Sequence, residues 1–138
     1  MRSLRLLPLL AVLAACSDST GPAGAVRITA TADAAAPPGS DNVTFSVENR
    51  SGRTVQMLLC SDTEVTLVVE RRVAGRWQDY AGDPCFAMYQ PVDLAPGATR
   101  TETRAVREAG EYRLELRVWY RDNPEGQRIA YSDAFEVR

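Results

Sequence analysis

From Tyr112 to Arg121 the chain alternates without a break. Tyr112, Leu114, Leu116, Val118 and Tyr120 fall on one side, and Arg113, Glu115, Arg117, Trp119 and Arg121 on the other. Successive side chains of an extended strand point to opposite faces, so a period of two marks a half-buried strand, whereas an amphipathic helix needs a period near 3.6. The same period recurs in Val43, Phe45 and Val47, which alternate with Thr44, Ser46 and Glu48 before the turn residues Asn49-Arg50-Ser51-Gly52-Arg53. Val65, Leu67 and Val69 follow it only partly, because Val68 is also apolar. A two-residue Ala74-Gly75 turn joins them to Arg76–Tyr80 as a hairpin. Asp122–Gln127, with Asn-Pro and Glu-Gly steps, reads as a reversal. Ile129, Tyr131, Phe135 and Val137 supply the last strand, with an irregularity at Ser132-Asp133. With Val26–Thr31, Thr54–Leu59 and Ala98–Ala105 added, about eight short strands are expected, and no sustained helical period follows the first fifteen residues. The fold class is therefore all-β, an antiparallel β-sandwich. The one long irregular stretch is Ala81–Gln90.

A chain of 138 residues is long enough for one domain, here residues 25–138. All sixteen cations are Arg, and there is no Lys and no His. That removes Schiff-base lysines, the phosphate-binding lysine of nucleotide-binding loops, His-based triads and His-ligated metal sites. Ser and Thr are plentiful but have no evident activating base, so the chain is expected not to be an enzyme and to need no cofactor. The net charge is −2 and the pI about 5.2, and no Arg cluster forms a phosphate track, so nucleic acid is not expected as a partner.

Residues 1–15 carry a short positive head at Arg2 and Arg5, an apolar run of 10 residues from Leu6 to Ala15, and the ending Leu13-Ala14-Ala15-Cys16. The run is about half the roughly 20 residues a membrane-spanning helix needs. This pattern resembles a bacterial lipoprotein signal with its lipobox. The resemblance implies cleavage before Cys16, a diacylglyceryl thioether on Cys16 and an acylated new N-terminus, hence stable membrane attachment through two or more acyl chains. Ser17, not Asp, follows the cysteine, which in Gram-negative lipoproteins implies transfer to the outer membrane. Residues 16–24 then form the lipidated cysteine and a flexible tether of small, polar, turn-forming residues, with a reach of about 15 Å.

The other two cysteines, Cys60 and Cys85, are even in number and bound for an oxidising compartment, so a disulfide between them is the default reading. It would close a loop of about 25 residues, worth roughly 3 kcal/mol. Met57 and Met88 lie three residues from these cysteines, and two thiolates with two thioethers would suit Cu(I). Three-residue spacing puts side chains on opposite faces of a strand, which opposes convergence.

Leu94-Ala95-Pro96-Gly97, a strand, and then Glu108-Ala109-Gly110-Glu111-Tyr112-Arg113-Leu114 resemble the end of an immunoglobulin-like domain, where a Gly-x-Tyr step enters the penultimate strand. The resemblance implies that Tyr112 is a tyrosine corner, its hydroxyl bonding back to nearby backbone. It departs from antibody domains at Leu114, where their inter-sheet bridge would need Cys. Phe45-Ser46-Val47-Glu48-Asn49-Arg50-Ser51 followed by Val55 is similar to the bacterial intracellular proteinase inhibitor family, which is also immunoglobulin-like.

Candidate binding residues follow from these placements. Trp119, on the polar face between Arg117 and Arg121, is a candidate stacking platform, or a Trp covered by Arg stems. Trp77, Tyr80, Phe86, Met88 and Tyr89 surround the disulfide loop, and a loop with aromatics on a rigid sandwich either recognises a ligand or packs down as a satellite cluster. Asp79, Asp83 and Asp93 lack the alternating spacing of a calcium loop and read as solvated turn acids. The expected function is a non-catalytic binding or structural module, lipid-anchored in the cell envelope and engaging a protein partner at the membrane surface. The alternatives are a small-ligand binder for carbohydrate or a soft metal, and a protease inhibitor.

Overall fold

The computed structural model describes residues 21–33, 41–60, 63–81, 85 and 88–138. The lipobox with Cys16, together with Phe86 and Asp83, lies outside the described residues. In chain order the elements are one helical turn α1 (Pro22–Ala25) and the strands β1 (Val26–Ala32), β2 (Asp41–Asn49), β3 (Val55–Cys60), β4 (Glu64–Val65), β5 (Leu67–Val73), β6 (Arg76–Ala81), β7 (Tyr89–Leu94), β8 (Thr99–Val106), β9 (Gly110–Tyr120), β10 (Asn123–Tyr131) and β11 (Phe135–Val137).

Two antiparallel sheets face each other across one apolar core. The smaller runs β1-β2-β8, and the larger gathers the other eight strands around β9. The alternation read in the sequence sets the inward faces. Val43, Phe45 and Val47 of β2 are each 1% exposed and meet Val55, Met57, Leu114, Leu116 and Val118 of the large sheet. No helix among the described residues is long and apolar enough to cross a membrane.

The fold differs from the sequence expectation in four places. Residues 22–24, expected to belong to a flexible tether, are part of α1, in which Pro22 and Ala25 are buried. The described residues hold eleven strands, not about eight. Tyr89–Leu94 forms β7 on the exposed edge of β3, although the stretch through Gln90 was expected to be irregular. Pro91 hides that strand in the sequence, and an outer edge is where a strand tolerates a missing N–H. The reversal expected at Asp122–Gln127 is tighter: β10 already begins at Asn123 and absorbs the extra residues as a register shift before Arg128. The expected irregularity at Ser132-Asp133 separates β10 from β11, and Ser132 there donates to the Asp133 carbonyl while accepting from Leu114 N–H.

The Ala74-Gly75 turn has both residues at positive φ, 49° and 80°, which matches the twist of the hairpin it closes. Along one edge the sheets are joined by charge. Glu102 of β8 accepts from the Val65 N–H at 3.1 and 2.9 Å, and Arg104 donates to the Val65 carbonyl at 2.7 Å. At the end of the sandwich where the chain enters, Val26 lies opposite Asn49 and Arg50 N–H donates to the Ala25 carbonyl at 2.7 Å.

Candidate functional site on the outer face of the large sheet

β3 and β9 pair over only three residues, Val55 with Tyr120 through Met57 with Val118. Beyond Met57 they part, and the segment carrying β4 and β5 enters the fork. Val65 pairs with Leu59 on the β3 side, and Leu67 pairs with Leu116 on the β9 side. Thr66 bridges the two, its N–H donating to the Leu58 carbonyl at 2.8 Å. The fork leaves a cleft of about 360 Å³ on the outer face, lined by Leu58, Thr66, Leu67, Val68, Tyr89, Glu115 and Arg117. Val68, the residue that breaks the alternation in its strand, is part of its wall.

The rest of this face is locked. Arg113 pairs with the buried Glu70 and lies between Trp77, 4.7 Å from its ring centre, and Tyr131, 4.0 Å from its ring centre. Arg72 pairs with Glu111 at 3.2 Å and also covers Trp77. Arg121 donates to Asp93 at 2.6 Å, Gln56 donates to the other Asp93 oxygen at 2.7 Å, and Trp119 Nε1 donates to Gln56 Oε1 at 2.9 Å. Tyr131 lies opposite Glu115 in the register of β10 and β9; burial first, and the Glu115 charge second, push this phenol above its ordinary 10.0. Arg117 is exposed, and its guanidinium has no hydrogen-bond or ion-pair partner among the described residues. The Thr66 hydroxyl is likewise buried without a partner.

These placements sort the candidates. Trp119 is 5% exposed and its indole N–H is used, so it has no open face to offer a ring, and the reading as a covered Trp holds. Tyr80 turns to the core, where it meets the Tyr112 ring edge-on at 5.2 Å. Trp77 is half-buried under two guanidinium groups. Tyr89 stays open, 52% exposed, on the cleft wall, with Met88 beside it at 79%. The soft-metal set dissolves: Cys60 and Cys85 form a disulfide across 25 residues, and Met57 is in the core at 1% exposure. Leu58, Thr66, Val68, Glu115 and Arg117 were not candidates from sequence, because they come from three separate segments and only Val68 leaves a local signal.

The tyrosine corner expected from the immunoglobulin resemblance is present. Tyr112 is fully buried and its hydroxyl donates to the Glu108 carbonyl at 2.7 Å. Burial, the largest cause, pushes its phenol up to about 12, against the opposing pull of Arg71. Removing the hydroxyl with Tyr112→Phe is expected to cost about 1 kcal/mol at neutral pH. An unfolded tyrosine loses its proton near pH 10, before the folded one, so this group's contribution is complete below pH 10 and falls as pH rises toward 12. Urea melts across that window should show a shallower decline for Tyr112→Phe; parallel curves would contradict the assignment.

No protein-family model and no curated protein sequence matches the chain. Among solved structures, the X-ray structure of Northeast Structural Genomics Consortium target SoR45 superposes with a TM-score of 0.53 at 7% identity, over 82% of this chain and 85% of that one. The crystal structure of beta-glucosidase from Listeria innocua in complex with gluconolactone gives a TM-score of 0.31 at 14% identity, covering 81% of this chain and 16% of that chain. The first likeness is one of fold alone, a β-sandwich, and the second is too loose to bear on fold or function.

Proposed function

We propose that this chain is an exported lipoprotein held to a membrane through Cys16, and that its sandwich is a non-catalytic binding module working through the cleft between β3 and β9. The anchor is supported by the Leu13-Ala14-Ala15-Cys16 ending after a short apolar run, and the envelope setting by the disulfide, which belongs in an oxidising compartment. The observation that carries the binding role is the cleft itself. Apolar walls, an exposed aromatic ring and a cation without a partner among the described residues meet there, on a face whose neighbouring charges are engaged with one another. A binding role without chemistry suits a chain that has no His or Lys to activate its hydroxyl groups.

Two measurements test the two halves. Radiolabelled palmitate should enter the wild-type protein and not Cys16→Ala; equal labelling would remove the anchor. A benzophenone side chain in place of Tyr89 should form an adduct with an envelope component on irradiation, whereas the same group at Thr103, on the outer face of the small sheet, should not. Equal adducts at both positions, or none at Tyr89, would remove the module.

A further inference from the structure

We infer that the cleft takes an acidic sugar residue of a glycan, with the sugar carboxylate held by Arg117. This rests on the cleft being the working surface, and it names the ligand class.

Three observations converge. The first is charge. Among the described residues Arg117 is an unpaired cation at the rim, and the adjoining depression of about 210 Å³ that it shares with Gln127 and Ile129 brings in Arg128, whose guanidinium donates, among the same residues, only to the Gln127 carbonyl. Glu115, the cleft's own carboxylate, stands opposite Tyr131 in the register of β9 and β10, and it is the one acidic group among these lining residues. A ligand carboxylate therefore meets two guanidinium groups against one carboxylate, and the planar fork of Arg suits that group.

The second is the mixture of surfaces. Leu58, Val68 and the Tyr89 ring supply apolar area, and Arg117 and Glu115 supply polar groups in the same lining. A pyranose ring presents the same mixture, with C–H faces for the apolar walls and hydroxyl groups for polar ones.

The third excludes the commonest peptide mode. Strand addition needs a free backbone edge, and at the fork the facing edges are already used: Thr66 N–H satisfies the Leu58 carbonyl, while β5 and β9 pair from Leu67 onward. The volume of about 360 Å³ holds one or two sugar rings, which limits recognition to a short stretch of a longer chain.

The test uses the full-length protein in detergent micelles, titrated with trigalacturonate and separately with maltotriose, and followed by amide chemical shifts. Trigalacturonate should shift Leu58, Val68, Tyr89 and Arg117, bind at least tenfold more tightly than maltotriose, and weaken as salt rises. Arg117→Gln should lose that tenfold preference with an unchanged thermal midpoint, since the side chain is exposed and unpaired. Arg27→Gln, on the small sheet, should bind as the wild type. Equal affinity for the two sugars, or a preference that survives Arg117→Gln, overturns the inference. So does tighter cleft binding by an acetylated dipeptide with a free carboxylate. Silence from every sugar overturns it as well; the benzophenone adduct at Tyr89 would then still separate the failure of the ligand class from the failure of the binding module.

Discussion

Asn49→Asp should destabilise the domain by about 4 kcal/mol at neutral pH, a large part of the 5–15 kcal/mol on which a domain of this size stands. Asn49 is fully buried where β2 ends. Its Nδ2 donates to the Arg53 and Leu94 carbonyls, both at 2.8 Å, and its Oδ1 accepts from Ser51 N–H at 3.0 Å and Ser51 Oγ at 2.7 Å. Its backbone N–H donates to Ala98 and its carbonyl accepts from Gly97. One residue thus ties the turn after β2 to the end of β7 through its side chain and to the turn before β8 through its backbone. A carboxylate of the same shape has no donors, so two carbonyls face a buried charge. Protonation restores one donor and removes the charge. The folded variant therefore binds a proton more readily than its unfolded chain, and its deficit should narrow as pH falls and be greatest at neutrality. Urea midpoints at pH 4 and pH 7 give the comparison. A deficit independent of pH would mean that shape, not hydrogen bonding, is what the site requires.

Replacing both cysteines, Cys60→Ala with Cys85→Ala, should cost about 3 kcal/mol through the 25-residue separation they span. The bridge fixes the end of β3 beside Tyr89, which lies opposite Cys60 in the register. The double variant should therefore also weaken any ligand of the cleft, and dithiothreitol on the wild type should reproduce both effects. A stability loss with unchanged ligand affinity would show that the bridge braces the fold without positioning Tyr89. No loss of either kind would mean that the unfolded chain is already constrained in another way.

What the sequence carried and what it hid have a common cause. Tyr112, Leu114, Leu116, Val118 and Tyr120 were legible as a buried row because apolar and polar residues alternate there, and parity alone suggested the disulfide. β8 was legible as a strand but not in its facing. Thr99, Thr101 and Thr103 alternate with Arg100, Glu102 and Arg104, so both faces are polar, and the bonds of Arg100 to the Thr63 carbonyl and of Glu102 and Arg104 to Val65 explain why the charged row turns inward. Asn49 read as an ordinary turn residue, since nothing local reveals carbonyl groups brought in by Leu94, 45 residues away. The cleft was the least legible feature. Leu58, Thr66 and Arg117 become neighbours only because β3 and β9 diverge, which is a property of pairing across the sheet. Trp119 left two readings open for a similar reason: its strand position is polar, and the Gln56 oxygen that accepts its indole N–H comes from another strand.

Where the chain enters the sandwich gives the molecule a direction. Ala25 and Val26 dock beside Asn49, at the end from which β3 departs, whereas Cys60 and Tyr89 stand at the other end of that strand, six residues or about 20 Å further on. Anchoring through Cys16, as proposed, would attach the domain at the near pole, and the Cys60–Cys85 bridge and the open Tyr89 ring would then stand at the pole away from the attachment.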